Sequence, residues 1–353
     1  MNRPPSPPEP EIVAFGRATI ADVARAAKAS KASVSRFLSG NVGALSNELR
    51  GRIEAAVAAL AYHPSPIARS LKGGHTGLIG MIAADIDNPW SVAVLHGAEG
   101  ACQQRGFSLM LSNSGGDTAR EHKMIAALLS YRVEGLIVNA AGPAQNLAAI
   151  TDIPVVLIDR KPPGCSFDFV GLDNVAAMDT VVRHLTAEGF CDLALVIQPV
   201  RHVSTRQERV AGFRAALKGM PGCRGDIVEI EQADPAAVDR ALTAFLSNPG
   251  GPKAVIAANG LMTLRVVQCF DRLGLRMPRD VGLVGFDELD WCALARPGIT
   301  TFGQPTYDIG ATAVRRLLAR VSGEHTEAGD TIFTGTLIAR ASSSGRHLRG
   351  EAA

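Results

Sequence analysis

Residues 19–38 read TIADVARAAKASKASVSRFL, and the fold turns on how that stretch divides. Thr19 stands before Ile20, Val23, Ala24 and Ala27, apolar residues at the spacing of one helical face. Asp22, three residues after Thr19, can return a bond to the cap backbone and complements the positive end of the helix dipole. Lys28-Ala29-Ser30 separates this helix from a second over about 31–39, whose buried side is Val34, Phe37 and Leu38. A third begins near Ser46, with Ile53, Val57 and Leu60 inward. The first two helices form a helix-turn-helix candidate, which would set the start of its second helix in a DNA major groove. Lys31, Ala32 and Ser33 open that helix and Arg36 lies one turn on. Arg36 can bond O6 and N7 of guanine together, and Thr19, Ser30, Ser33 and Ser35 suit phosphate anchoring. An Ala-rich helical hairpin with a solvated basic face would share this pattern, so the motif needs support from the rest of the chain.

Charge supplies some. The formal net charge of the 353 residues is only +2, but residues 18–74 hold eight Lys/Arg against three acids, a net +5. Residues 1–17 balance, so 75–353 carry −3: a basic head on a mildly acidic body. No stretch approaches the roughly 18 uninterrupted apolar residues of a membrane span. The proline-rich start (Pro4, Pro5, Pro7, Pro8, Pro10) reads as a disordered arm over 1–17 and not as a signal peptide, so a cytoplasmic protein is expected. Six cysteines, scattered with no Cys-x-x-Cys pair, predict isolated reduced thiols, neither a zinc site nor a disulfide framework. The eight histidines show no two-histidine metal spacing, and neither a phosphate loop nor a nucleophile elbow is present. No enzyme, cofactor or metal is expected.

From Leu78 the rhythm changes. Apolar runs at 78–84, 107–113, 135–139, 154–158, 193–197, 254–258 and 281–286 read as strands. Between them lie helical patterns near 90–105, 117–130, 174–188, 206–218, 235–247, 260–273 and 306–321. Such alternation means parallel sheets covered on both faces, and its length asks for two α/β lobes with a cleft between them. Ligands of open α/β sheets bind beyond the carboxyl ends of the strands. The residues standing there are Asp85, Asp87, Asn88, Asn113, Asp159, Asp173, Asn259 and Asp287, a set suited to a polyhydroxylated or charged small molecule. Each acid among them could equally cap a helix or a turn.

Taken together, TIADVA at 19–24, SVSR at 33–36, ARSLK at 68–72 and HT at 75–76 resemble the lac/purine/galactose repressor family of bacterial transcription regulators. Weaker echoes follow in order: Ile79-Gly, Asp87-Asn-Pro, VEGLI at 133–137, Ile158-Asp, VGFD at 284–287 and Thr300-Thr. The resemblance runs from Ala18 to about Arg340 and implies a three-helix helix-turn-helix head, residues 18–63, and a hinge over 64–74. The body over 75–340 would be periplasmic-binding-protein-like, with two parallel-sheet lobes, crossings near 171–174, 300–303 and 330–332, and a polar tail over 341–353.

In that family the hinge orders on operator DNA, where a leucine from each subunit wedges into the minor groove. By position this is Leu71, with Ala68 facing its dimer mate and Lys72 near the groove. The resemblance also places Trp90, Thr205 and Arg209 on the cleft wall beside Asp85, Asp159, Asp173, Asn259 and Asp287. It implies a homodimeric repressor that binds a near-palindromic operator and responds to a sugar or sugar acid. This chain departs from some relatives at Lys31-Ala32, where bulkier base-reading residues are usual, and at Gly260, where an aspartate is usual. The turn Gln232-Ala-Asp-Pro lacks the aromatic that some relatives stack on their ligand, which favours a less flat, more charged effector such as a gluconate or ketogluconate. The alternative is a soluble sugar-binding protein without DNA function, against which the basic head counts.

Overall fold

The structure is a computed structural model that describes residues 18–62, 75–143, 147, 150, 152–231, 235–324 and 327–346. The arm over 1–17, the hinge segment with Ala68, Leu71 and Lys72, the turn at 232–234 and residues 347–353 lie outside the described residues. The chain divides into two compact units between Thr76 and Gly77.

The head holds α1 (Ile20–Ala26), α2 (Lys31–Leu38) and α3 (Asn47–Ala59). Thr19 and Asp22 close a capping box: the Asp22 amide donates to Thr19 Oγ1 at 3.3 Å, and the Thr19 amide to Asp22 Oδ2 at 2.9 Å. Ser30 starts α2 by accepting from the Ser33 amide at 3.0 Å, and Ser46 starts α3 by accepting from Leu49 at 3.3 Å. The turn between α1 and α2 passes through Lys28 at φ +47°, a left-handed conformation where glycine is commoner. Its carbonyls do not go unpaired. Arg52 on α3 donates to Ala27 O at 3.0 Å and to Lys28 O at 2.9 Å, so the third helix holds the turn. Val23, Val34 and Ile53, all fully buried, centre the small core.

The body opens with β1 (Leu78–Ala83), α4 (Pro89–Gln104), β2 (Ser108–Asn113), α5 (Thr118–Ser130), β3 (Gly135–Val138), β4 (Val155–Ile158), β5 (Asp168–Leu172) and α6 (Asn174–Ala187). It continues through β6 (Asp192–Ile197), α7 (Ser204–Lys218), β7 (Arg224–Glu229), α8 (Pro235–Ser247), β8 (Lys253–Ala257), α9 (Gly260–Arg272), β9 (Gly282–Phe286) and α10 (Asp290–Leu294). It ends with β10 (Thr300–Gly303), α11 (Thr306–Val321), β11 (Asp330–Phe333) and β12 (Thr336–Ile338). Two six-stranded sheets result, ordered β11-β5-β4-β3-β1-β2 and β12-β10-β9-β8-β6-β7. All pairings are parallel except β12, which runs antiparallel to β10. The chain passes from the first sheet to the second after β5, returns after β10 so that α11 packs on α4 and on β3 to β5, and crosses again between β11 and β12. In both sheets the strand order reverses beside the first strand, between β1 and β3 and between β6 and β8.

The polar residues after Arg340 do not form a solvated tail from the outset. Ala341–Ser343 make a short 3-10 turn in which Ser342 and Ser343 are fully buried. Ser342 Oγ donates to Leu283 O at 2.7 Å and accepts from the Thr300 amide at 2.8 Å. Ser343 Oγ lies 2.6 Å from Thr300 Oγ1 and 2.7 Å from His184 Nε2. Hydroxyls can enter a sheet margin when every polar group finds a partner, and reading polarity as exposure misses this.

Candidate functional site

On the head, Lys31, Ala32 and Arg36 are exposed on α2, while Ser33 and Ser35 are half-buried. Thr19 and Ser30 are exposed and also serve as helix caps, so their hydroxyls already hold protein amides. Three of the head's arginines also have structural partners. Arg25 pairs with Asp22 at 2.9 Å, Arg50 donates to Val42 O, and Arg52 holds the α1–α2 turn. Lys28, Lys31 and Arg36 remain as exposed cations around the start and face of α2.

In the body, a cavity of about 190 Å³ lies between the two sheets, at the carboxyl ends of their strands. Asp85, Trp90, Asp159, Thr205, Arg209, Asn259 and Asp287 all line it. Asp159 follows β4 and Asp287 follows β9, and the two ends are built alike. Both residues have positive φ, +60° and +71°. The Asp159 amide donates to Val170 O of the next strand, and the Asp287 amide donates to Phe302 O. A left-handed aspartate costs about 1–3 kcal/mol of backbone strain, a cost the surrounding strands must hold in place.

Arg209, on α7, is buried with its guanidinium 4.3 Å from the Phe286 ring centre. It donates to Asn174 Oδ1 at 2.9 Å and to the carbonyl of Ala258. Burial lowers its pKa, opposed by the charges of Asp287, Asp159 and Glu208. Burial also raises both aspartates, against the pull of Arg160 and Arg209 on Asp159 and of Arg209 on Asp287. Asp287 Oδ2 accepts from the Gly260 amide at 2.9 Å, and its Oδ1 from Gln304 Nε2 at 2.7 Å. Gly260 packs closely here: a Cβ there would sit 2.9 Å from Leu289 Cδ1. Gln304 Oε1 in turn accepts from Trp90 Nε1 at 3.1 Å, so the residue at the second crossing ties a wall of one lobe to a carboxylate of the other.

Asp173 departs from the expected set. It is not among the lining residues; its Oδ1 accepts from the Ala176 amide at 2.9 Å and starts α6. Asn113 likewise turns its Oδ1 to the Gly115 amide. Asn88 serves both purposes, capping α4 while facing the cleft.

Strand-end reasoning missed Arg160, Gln198, Arg206 and Gln304. Three carried a signal: Arg160 adjoins Asp159, Gln198 directly follows β6, and Arg206 lies one helical turn before Arg209. Arg206 is half-buried and its pKa falls to about 10, first through desolvation and then through the nearby charge of Arg160. Arg160 Nε is buried with no hydrogen-bond partner among the described residues. The helix bearing Arg206 has no side-chain cap at its N-terminus, and Val203 and Thr205 of that first turn line the cavity.

Comparison with known proteins agrees with this architecture. A model for the lacI family of bacterial regulatory proteins matches residues 19–65, and one for a periplasmic-binding-protein-like domain matches residues 182–343. The chain is 45% identical over 338 residues to the HTH-type transcriptional regulator PtxS of Pseudomonas aeruginosa, covering 95% of this chain and 97% of that one. It is 30% identical over 311 residues to the ribose operon repressor of Escherichia coli, covering 86% and 93%. The lac repressor dimer bound to operator and an anti-inducer matches with a TM-score of 0.81 at 25% identity, covering 93% of this chain and 99% of that one. Among the described residues no helix is long and apolar enough to cross a membrane. A capped helix-turn-helix head on a two-sheet body, shared over nearly the full length of these regulators, places the chain in the lacI family of bacterial regulatory proteins, as a DNA-binding transcriptional regulator and not an enzyme.

Proposed function

We propose that the chain represses genes of carbohydrate or sugar-acid metabolism. It binds a near-palindromic operator as a homodimer and responds to an anionic, polyhydroxylated effector in the cleft. The lac repressor's dimer on its operator and the ribose operon repressor are relatives whose names fit this reading. Arg36 is the base-reading residue, with Lys31 and Ala32 beside it and the hydroxyls of Thr19, Ser30, Ser33 and Ser35 near phosphates. Leu71 wedges the minor groove, flanked by Ala68 and Lys72. Arg36→Ala then abolishes preference for the operator while sparing salt-sensitive, non-specific binding.

The observation that carries the effector's charge is the pair Arg160 and Arg206, one cation from each lobe, both lining one cavity, with Arg160 disfavouring the charge of Arg206. A carboxylate between them would relieve that repulsion and hydrogen-bond Arg160 Nε, which among the described residues has only Asp159 Oδ2 at 3.7 Å, and the uncapped start of α7 adds the favourable end of a helix dipole. Asp159, Asp287, Asn259, Gln198 and Thr205 supply hydrogen-bond partners for hydroxyls. Isothermal titration of the full chain with gluconate, 2-ketogluconate and glucose tests this. A sugar acid should bind, and Arg206→Gln should weaken it about 10-fold or more, about 1.4 kcal/mol. Glucose binding as tightly as its acids would overturn the charge assignment.

A further inference from the structure

Cysteine spacing predicts six isolated thiols, but the strand register of the second sheet brings two of them together. β6 and β7 are parallel neighbours with Asp192 opposite Arg224, so Cys191 and Cys223, one residue earlier on each, face one another. The Arg224 amide donates to the Cys191 carbonyl at 2.8 Å, extending the ladder to this pair. Neighbouring strands lie about 4.7–4.9 Å apart, with in-register side chains on the same face. That separation is inside the roughly 4.4–6.8 Å between Cα atoms that a disulfide requires. The two thiols interact, Cys191 helping to raise the Cys223 thiol, and both are half-buried; Cys191 Sγ donates to Gly189 O at 3.7 Å. β7 is the edge of its sheet, and Gly251 leaves room beside the pair: a Cβ there would come 3.4 Å from Cys191 Cβ. Cys102, Cys269 and Cys292, by contrast, are buried within the hydrophobic cores. Among the described residues no group of three or more His, Cys, Asp or Glu could hold a metal, so the chemistry open to the pair is that of a dithiol.

We propose that Cys191 and Cys223 are a reversible oxidation site, closing to an intramolecular disulfide under a two-electron oxidant such as hydrogen peroxide. One thiol loses its proton, and the thiolate breaks the peroxide O–O bond to become a sulfenic acid; the hydroxide released takes up that proton as the first water. The second thiol displaces the hydroxyl from that sulfur, forming the Sγ–Sγ bond and releasing a second water. Two electrons and two protons leave the pair, and a small dithiol restores it by exchange. Burial, together with Cys191 and Asp192 alongside, raises the Cys223 thiol above its usual range, so the step quickens as pH rises. The bond would staple the base of the β6–α7–β7 unit, whose helix carries Thr205, Arg206 and Arg209, at the strand ends opposite the cleft.

The test treats the reduced full chain with stoichiometric hydrogen peroxide, blocks remaining thiols with iodoacetamide, and maps peptides without reduction. The expected result is an intact-mass loss of about 2 Da before alkylation. A peptide containing Cys191 should be linked to one containing Cys223, and the link should be reversed by dithiothreitol and absent from both Cys191→Ser and Cys223→Ser. Alkylation of both residues after peroxide, irreversible sulfinic acid at either, or a link joining another pair would overturn the proposal.

Discussion

Helices α4 and α11 touch backbone to backbone, and that contact yields a prediction opposite in sign to ordinary helix propensity. A Cβ on Gly310 would lie 2.1 Å from Val94 O and 2.8 Å from the Ala98 amide nitrogen, and one on Gly97 would lie 2.0 Å from Tyr307 O. Neither obstacle is a side chain that could rotate away, so the helices would have to part by about 1 Å to reach normal contact. Parting them pulls α11 from β3, where Leu317 packs directly over Gly135, and shifts the helix that carries Trp90. Alanine gains about 1 kcal/mol of helix propensity over glycine, and overpacking costs about 1–3 kcal/mol, here at its upper end because backbone meets backbone. The net for Gly310→Ala is a loss of about 1–2 kcal/mol, or about 2–8 °C in the melting temperature of a body this size. Scanning calorimetry of the full chain measures it. Gly51→Ala on α3 is the control, since nothing lies within 4 Å of a Cβ there and propensity alone acts. That variant should gain hydrogen-exchange protection along α3. A melting temperature for Gly310→Ala equal to or above wild type would refute the close packing.

Two further outcomes follow from caps and burial. Thr19→Ala removes one side of the α1 capping box and should cost about 1 kcal/mol of head stability, read as faster amide exchange in α1. His184 sits against Ser343 and near Glu188, and burial lowers its pKa below its usual 6.5, with Glu188 opposing. A depressed folded value means the unfolded chain binds the proton first. The stability from neutral His184 is therefore full above about pH 6.5 and is lost as pH falls through the lowered folded value. His184→Gln should flatten the fall in melting temperature between about pH 7.5 and 5 relative to wild type; parallel curves would remove His184 from that account.

The sequence yields the head almost residue by residue, because its rules are local. Thr19 with Asp22, and Ser30 three residues before Ser33, are cap spacings that need no tertiary information. In the body, β1, β4, β6 and β9 announce themselves through long apolar runs. β5, β7, β10, β11 and β12 do not, for different reasons. β7 is an edge strand, so Arg224, Gly225 and Asp226 can be polar and exposed. β10 is central but begins with Thr300 and Thr301, fully buried with their hydroxyls bonded to Arg340 O and to Glu288. Because β10 is not legible, neither is Gln304 just beyond it, although it joins Trp90 to Asp287. Asp173 shows the converse limit: a strand-end position alone does not distinguish a ligand group from a helix cap, and here the Ala176 amide of α6 donates to the carboxylate. The charge count also leaves out that Arg52 and Arg50 satisfy turn carbonyls, which only tertiary contacts reveal.

The central claim is that one chain couples an anion in the cleft to DNA held by the head. Its most direct test is fluorescence anisotropy of the full chain on a duplex that the protein itself has selected from a random pool, at fixed salt, with and without a saturating sugar acid. Coupling of about 1–3 kcal/mol should change operator affinity about 5- to 150-fold, and the DNA should change sugar-acid affinity by the same factor. Arg206→Gln should move the sugar-acid concentration that gives half of the shift about 10-fold higher while leaving DNA affinity without ligand intact. Unchanged operator affinity on a cleft shown to be occupied would contradict the account.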